Sequence, residues 1–292
     1  MTDNTTEQRV LFLGAGGLLG SSFHRRPRAA ATEWIFLDHK DCDITSHHQL
    51  KKTFDEFNPT TVINCAAYTK VDQAEQEPER AKLINETAVE YVVHCCDERA
   101  KLVHLSTDFV FDGTSRNPYQ PNDSTNPLSV YGKTKRDGEL CIKAAGAAGW
   151  LIVRTSWLFG AAGPCFPKMI VDRVRAGQTM TIVNDQIGCP THAPDLADAI
   201  LDLIDADVTG IHHVTNTGPC SWFDFARAIV EEFGLPTERI QPITTEQFRK
   251  MRPNQAIRPA YSVLADDSLP KPRRPWREAL KDFRKALLTP NA

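Results

Sequence analysis

The stretch RVLFLGAGGLLGSSF, residues 9–23, limits the fold more than any other part of the chain. A short apolar run breaks at Gly14, Gly16, Gly17 and Gly20, and a helix-like pattern continues from there. Between a strand and a helix, Gly-x-x-Gly-x-x-Gly has a physical use. It permits a tight turn, lets the backbone approach a pyrophosphate, and packs the helix closely on the strand. The start of the helix then offers free N–H groups and the positive end of its dipole to phosphate. A glycine-rich surface turn is the plain alternative, and the position between the first strand and the first helix argues against it.

The rest of the chain supplies the setting such a turn needs. Short apolar runs at 34–38, 61–67, 101–107, 150–156 and 210–216 read as further strands. Between them, 47–57 reads as a helix, and 78–100 places Ile84, Ala88, Tyr91, Val92 and Cys95 on one helical face. Strands alternating with helices predict an α/β fold, a Rossmann-type doubly wound parallel sheet covered on both faces. After about residue 217 the alternation fades and Pro and charge increase.

Asp38 closes the second strand, 18 residues after Gly20. A carboxylate there can accept both ribose hydroxyls of an NAD adenosine, whereas His39 and Lys40 beside it could neutralise a 2′-phosphate. The cofactor expected is therefore NADPH or NADH. Asp43 either faces the adenine edge or is a solvated loop carboxylate. Tyr131 and Lys135, in YGKTK, lie one helical turn apart and share a face. Alone, that pair is no more than two polar residues on a helix.

The net charge of -3 gives no reason to expect nucleic acid or an anionic membrane as partner. The N-terminal MTDNTTEQ lacks the basic-then-apolar order of a signal peptide, and no apolar run approaches a membrane span. None of the eight cysteines forms a Cys-x-x-Cys pair, and their scatter fits reduced thiols in the cytoplasm, with Cys95 and Cys96 read as packing. No metal is expected: in a strand His212 and His213 point to opposite faces, and His47-His48 is no stronger a ligand set. Asp72, Glu75 and Glu77 read first as acids at a helix start, with a subunit or divalent-ion contact as the minor reading. Trp222 and Phe225, at helical spacing, read as core.

Seven motifs fall in the order of a known family: GAGGLLG, NCAAYTKVDQAE, LSTDFVFDG, NPLSVYGKTKRDGE, VRTSWLFG, VNDQIGCPT and RPAYSVL, spread from 14 to 264. On these the chain resembles the extended short-chain dehydrogenase/reductases and, within them, the dTDP-4-dehydrorhamnose reductase family. The resemblance implies that Gly14, Gly16, Gly17, Leu18, Leu19 and Gly20 hold the pyrophosphate, that Asp38 holds the ribose, and that Ala66 and Ala67 line the cofactor. It implies a catalytic set of Thr107, Tyr131 and Lys135, with Tyr131 and Lys135 also touching cofactor. Thr69, Val71, Thr107, Asp108, Phe111 and Trp157 become substrate-pocket positions, and Asn184, Gln186 and Arg258 sugar or nucleotide contacts. Cys165 departs from the family's usual Asn before the Phe.

The implied reaction is reduction of the 4-keto group of dTDP-4-dehydro-L-rhamnose. Its chemistry suits these residue types. Hydride transfer leaves negative charge on the carbonyl oxygen, Tyr131 can donate a proton to it, and Thr107 can fix its direction. A lysine ammonium with cofactor charge is expected to lower the tyrosine's pKa from about 10. The resemblance divides the chain into a dinucleotide-binding part, 1–155 with 192–216, and a substrate-binding region, 156–191 and 217–292, capping the cleft. A reductase or epimerase for another nucleotide sugar, or a regulatory subunit like the methionine adenosyltransferase beta subunit, are the other readings. The expected partner is a nucleotide sugar, and relatives suggest a homodimer through 79–99 and 131–146.

Overall fold

The computed structural model describes residues 8–24, 32–97, 99–146, 149–265 and 271–289. The polar start, residues 1–7, and Glu98 of the expected helix lie outside them. β1 (Gln8–Leu13), α1 (Leu18–Phe23), β2 (Thr32–Leu37), α2 (His47–Phe57) and β3 (Thr61–Asn64) open the fold. α3 (Val71–Ala74), α4 (Pro78–Lys82), a π-helical turn (Leu83–Thr87) and α5 (Ala88–Cys96) lead to β4 (Lys101–Thr107), α6 (Val130–Ala144) and β5 (Leu151–Thr155). Short pieces follow: β6 (Leu158–Phe159), α7 (Phe166–Arg175), β7 (Met180–Val183), β8 (Ile187–Gly188) and β9 (Thr191–His192). Then come α8 (Ala193–Asp205), β10 (Gly210–His213), β11 (Cys220–Ser221), α9 (Trp222–Glu232), β12 (Ile240–Ile243), α10 (Thr245–Met251) and α11 (Trp276–Leu288).

The six strands read from the sequence form one sheet, in the order β10-β5-β4-β3-β1-β2, with every pairing parallel. Alternation along β1 sends Val10 and Phe12 to a core shared with α1 and α8, where Leu196, Ile200 and Leu203 pack. Leu11 and Leu13 go to the opposite face, against Leu50 and Phe54 of α2, Val92 of α5 and Ile142 of α6. The strands are thus buried on both faces, as a doubly wound sheet requires. Because β1 lies between β2 and β3, the strand order reverses there, and a crevice opens at the C-terminal ends.

The helix expected over 78–100 is broken. The π turn Leu83–Thr87 interrupts it, and Asp97 ends it with φ +45°. Asn85 in that turn accepts from Tyr68 N (2.8 Å) and donates to Tyr68 O and Thr134 Oγ1 (both 3.1 Å), tying the loop after β3 to α6. A third core unites α7, α9 and α11 with β7 and β12, through Val171, Phe225, Ile229, Trp276 and Phe283. The segment 260–265 runs beside β8 and Tyr119: Ile187 N donates to Ala260 O and Tyr119 N to Val263 O, both at 2.8 Å. Among the described residues no helix is long and apolar enough to cross a membrane.

Candidate active site

The glycine turn is shaped by close approach. Gly14 has φ +88°, and a Cβ there would lie 2.6 Å from Ala66 N, so only glycine fits between β1 and the end of β3. A Cβ on Gly20 would strike the Ala15 carbonyl. Gly14 N and Ala15 N donate to Leu37 O at 2.9 and 3.0 Å, locking the turn to β2. No side chain caps α1 at Gly17. This cradle fits a dinucleotide's pyrophosphate, with the residues around Leu18 and Leu19 supplying backbone donors. Asp38 lies beside Gly16, and the Lys40 N–H at 2.7 Å holds its carboxyl below the ordinary range. Asp43 accepts from Thr45 N (2.9 Å) and Thr45 Oγ1 (2.7 Å), a local turn leading into α2. Ala66 and Ala67 are half-buried at the end of β3, with Ala66 N donating to Asn64 Oδ1 at 3.1 Å.

Thr107 is the last residue of β4, and Tyr131 stands in the first turn of α6, whose start is capped by Ser129 Oγ accepting from Gly132 N (3.1 Å). The Tyr131 hydroxyl lies close enough to Thr107 for the threonine hydroxyl to act on its acidity. Thr107 Oγ1 in turn donates to Asp108 Oδ1 (3.0 Å) and accepts from Phe109 N (3.2 Å). Burial pushes the Tyr131 phenol up to about 12; the Thr107 hydroxyl works against the rise and the Asp108 charge adds to it. Burial outweighs any other influence on the phenol here; the lowering expected from Lys135 together with cofactor charge concerns the cofactor-bound site. Lys135 Nζ is directed at Leu105 O (2.6 Å) and His104 Nε2 (3.1 Å), and burial lowers the lysine itself to about 8. Asp108 is also buried, with Oδ2 left without a hydrogen-bond partner among the described residues, and burial raises its carboxyl to about 7 against the bond from Thr107.

The sequence reading missed what holds α6 in place. Arg154 on β5 and Glu139 on α6, each with its side chain 1 % exposed, pair through Nε–Oε1 at 2.9 Å and Nη2–Oε2 at 2.6 Å. Ser106 Oγ donates to the same Glu139 Oε1 at 2.5 Å. The only signal was an Arg inside an otherwise apolar strand, since a buried charge requires a partner.

Trp157 has φ +47°, and its ring stacks on Trp222 with 3.6 Å between centroids. A Cβ on Gly188 would lie 2.6 Å from that ring. Trp222 is thus half-buried beside the core, while Phe225 is wholly inside it. Thr69 is exposed and Val71 half-buried at the start of α3. Phe111 is set back: fully buried, it stacks on Tyr119 at 4.1 Å beneath the Arg154 guanidinium. Asn184 is exposed, whereas Gln186 is buried and donates to Thr245 Oγ1 at 3.0 Å. Arg258 pairs with Asp72 at 2.9 Å, joining the C-terminal segment to α3. Glu75 accepts from Val130 N (2.8 Å) and Glu77 from the Tyr68 hydroxyl (3.0 Å), so the acidic cluster links elements. Cys165 Sγ donates to Gly160 O at 3.4 Å. His213 is buried and His212 bonds Thr209 O, and among the described residues no group of three or more His, Cys, Asp or Glu could hold a metal ion. A groove of about 690 Å³ opens between α2, α5 and α6, and none of the candidate residues lines it.

The family model for the RmlD substrate binding domain matches residues 8–289. The chain belongs to this family. The spore coat polysaccharide biosynthesis protein SpsK of Bacillus subtilis (strain 168) is 40 % identical over 280 residues, covering 94 % of this chain and 96 % of its own. The dTDP-4-dehydrorhamnose reductase of Mycolicibacterium smegmatis (strain ATCC 700084 / mc(2)155) is 38 % identical over 284 residues, 94 % of this chain and 84 % of its own. The crystal structure of dTDP-4-dehydrorhamnose reductase from Bacillus anthracis str. Ames in complex with NADP superposes with a TM-score of 0.89 at 35 % identity, covering 96 % of this chain and 99 % of that one.

Proposed function

We propose that this RmlD-family chain reduces the 4-keto group of dTDP-4-dehydro-L-rhamnose to dTDP-L-rhamnose, using NADPH or NADH. The observation that carries the reading is the placement of the Tyr131 phenol, in the first turn of α6, beside Thr107 at the end of β4, with Lys135 one turn further along α6. Gly14, Gly17 and Gly20 cradle the pyrophosphate and Asp38 the adenosine ribose. The nicotinamide, when bound, supplies the hydride. Tyr131 donates its phenolic proton to the sugar oxygen as charge develops there, and Thr107 orients that oxygen. The high proton affinity of Tyr131 suits a group that must arrive protonated. Asp108, Trp157, Val71 and Thr69 line the sugar side, with Arg258 and Asn184 nearer the nucleotide. Residues 1–155 with 192–216 bind the cofactor, and 156–191 with 217–292 bind the sugar nucleotide.

The eight free cysteines favour action in the cytoplasm, where thiols stay reduced. Leu83 and Leu140, exposed beside α4 and on α6, favour pairing of two copies along this side. The test is turnover of dTDP-4-dehydro-L-rhamnose with NADPH or NADH. Net cofactor oxidation with dTDP-L-rhamnose formed is expected. An isomerised sugar without net oxidation would assign an epimerase, and no turnover of any keto-sugar would leave a binding subunit.

A further inference from the structure

Behind the proposed acid lies a chain of hydrogen bonds with a fixed direction. Ala66 N can only donate, and it donates to Asn64 Oδ1 at 3.1 Å. That contact orients the Asn64 amide, so Nδ2 faces His104 Nδ1 at 3.3 Å. An amide NH₂ has no lone pair to give, so His104 Nδ1 accepts. A neutral imidazole carries one proton, which then sits on Nε2. Nε2 faces Lys135 Nζ at 3.1 Å. An ammonium there would set N–H against N–H. A neutral amine accepts the Nε2 proton and still donates to Leu105 O.

We propose that His104 is a positioning residue which, held by Asn64, aims an N–H at Lys135 Nζ and so favours the neutral amine over the ammonium. Asn64 and His104 are both fully buried, so neither can turn to water instead. Protonating His104 offers no escape, because burial alone already pushes its pKa below the ordinary value. Of the other titratable groups around Lys135, the Glu139 carboxylate acts against this preference and favours the ammonium. Glu139 on its own helix is already bound by Arg154 and Ser106. The Cys65 thiol, after β3, is pushed up by burial, and the Tyr131 phenol likewise, so both are neutral. Glu75 is engaged at the helix start by Val130 N. Asp108 lies beyond Thr107 and Tyr131.

This inference deepens the proposed reduction, on which it rests. Lys135 stands one turn from Tyr131, and His104 biases the charge it carries without touching substrate. An anionic nucleotide in the cleft opposes the preference and draws a proton to the lysine.

The experiment uses the full-length protein with no nucleotide added, and it does not depend on turnover. Long-range ¹H–¹⁵N NMR of the imidazole reads the His104 tautomer. The Nε2–H form is expected, and a Nδ1–H form or an imidazolium at neutral pH overturns the proposal. The ¹³Cε and ¹⁵Nζ shifts of Lys135, assigned by their loss in Lys135→Met, are then followed against pH. In His104→Gln the amide is free to turn its oxygen to the ammonium, so the Lys135 midpoint rises by about one pH unit or more. A midpoint unchanged in a folded His104→Gln protein overturns the proposal. If that variant fails to fold, the wild-type tautomer decides alone. Failure of the reduction assay would leave both readouts standing, so the two readings fail separately.

Discussion

Tyr131 illustrates what one side chain must do here. It lies beside Thr107, is raised in proton affinity by burial, and is placed one turn from Lys135. Replacing it with Phe removes the proposed proton donor and keeps the ring. Tyr131→Phe is expected to lower kcat roughly 10²- to 10⁴-fold, with little change in KM. Its affinity for NADPH, read by fluorescence titration, should stay near wild type. Turnover within about threefold of wild type would exclude proton donation by this residue. Asp108, next in the network, carries a second consequence. Its folded-state pKa of about 7 lies above the unfolded value of about 4. The native state therefore holds a proton that the unfolded chain has released, and Asp108 costs stability progressively from about pH 4 to about pH 7. Asp108→Asn should stabilise the protein more at pH 8 than at pH 5, measured by urea unfolding at both. An equal gain at the two pH values would show that the carboxyl titrates normally.

Elements reach the site through two ties. The Glu139–Arg154 pair binds α6 to β5 inside the protein, where losing one partner strands a charge. Glu139→Ala should cost roughly 3–5 kcal/mol of unfolding free energy. Glu139→Met combined with Arg154→Met should recover much of that. A loss below about 1 kcal/mol in the single variant, in the range of a surface pair, would mean that Arg154 finds another partner. On the proposed sugar side, β8 supports Trp157, because Gly188 leaves the ring room to stack on Trp222. Gly188→Ala forces the indole out of place. The expected result is a raised KM for the sugar nucleotide with the NADPH dissociation constant unchanged. Equal weakening of both ligands would point to general disruption instead.

At the scale of the whole molecule, the parallel sheet and the third core meet at the strand ends. Arg258 pairs with Asp72 of α3, and 260–265 runs beside β8 and Tyr119. Since both partners are partly exposed, the ion pair is worth at most about 1 kcal/mol. Arg258→Ala should therefore leave thermal stability nearly unchanged while raising the KM for the sugar nucleotide. A large fall in melting temperature would instead make this pair a structural clasp.

Local chemistry determined much of this protein. Six apolar runs became six parallel strands, and the glycine spacing marked the turn, because strand period and backbone freedom are properties of a few adjacent residues. Gly14 was legible for the same reason, whereas Tyr131 and Thr107 were singled out as catalytic only by the resemblance to a known family. The π turn at Leu83–Thr87 was not legible, since Asn85 earns its place only by bonding Tyr68 and Thr134 across the fold. Nor was the direction of Lys135. Its spacing from Tyr131 predicts a shared face, but the partners of Nζ come from β4, 31 and 30 residues earlier. Asn64, His104, Glu139 and Arg154 came together only when the sheet formed. Their protonation depends on burial and on neighbours distant in the chain, and those are properties of the tertiary structure alone.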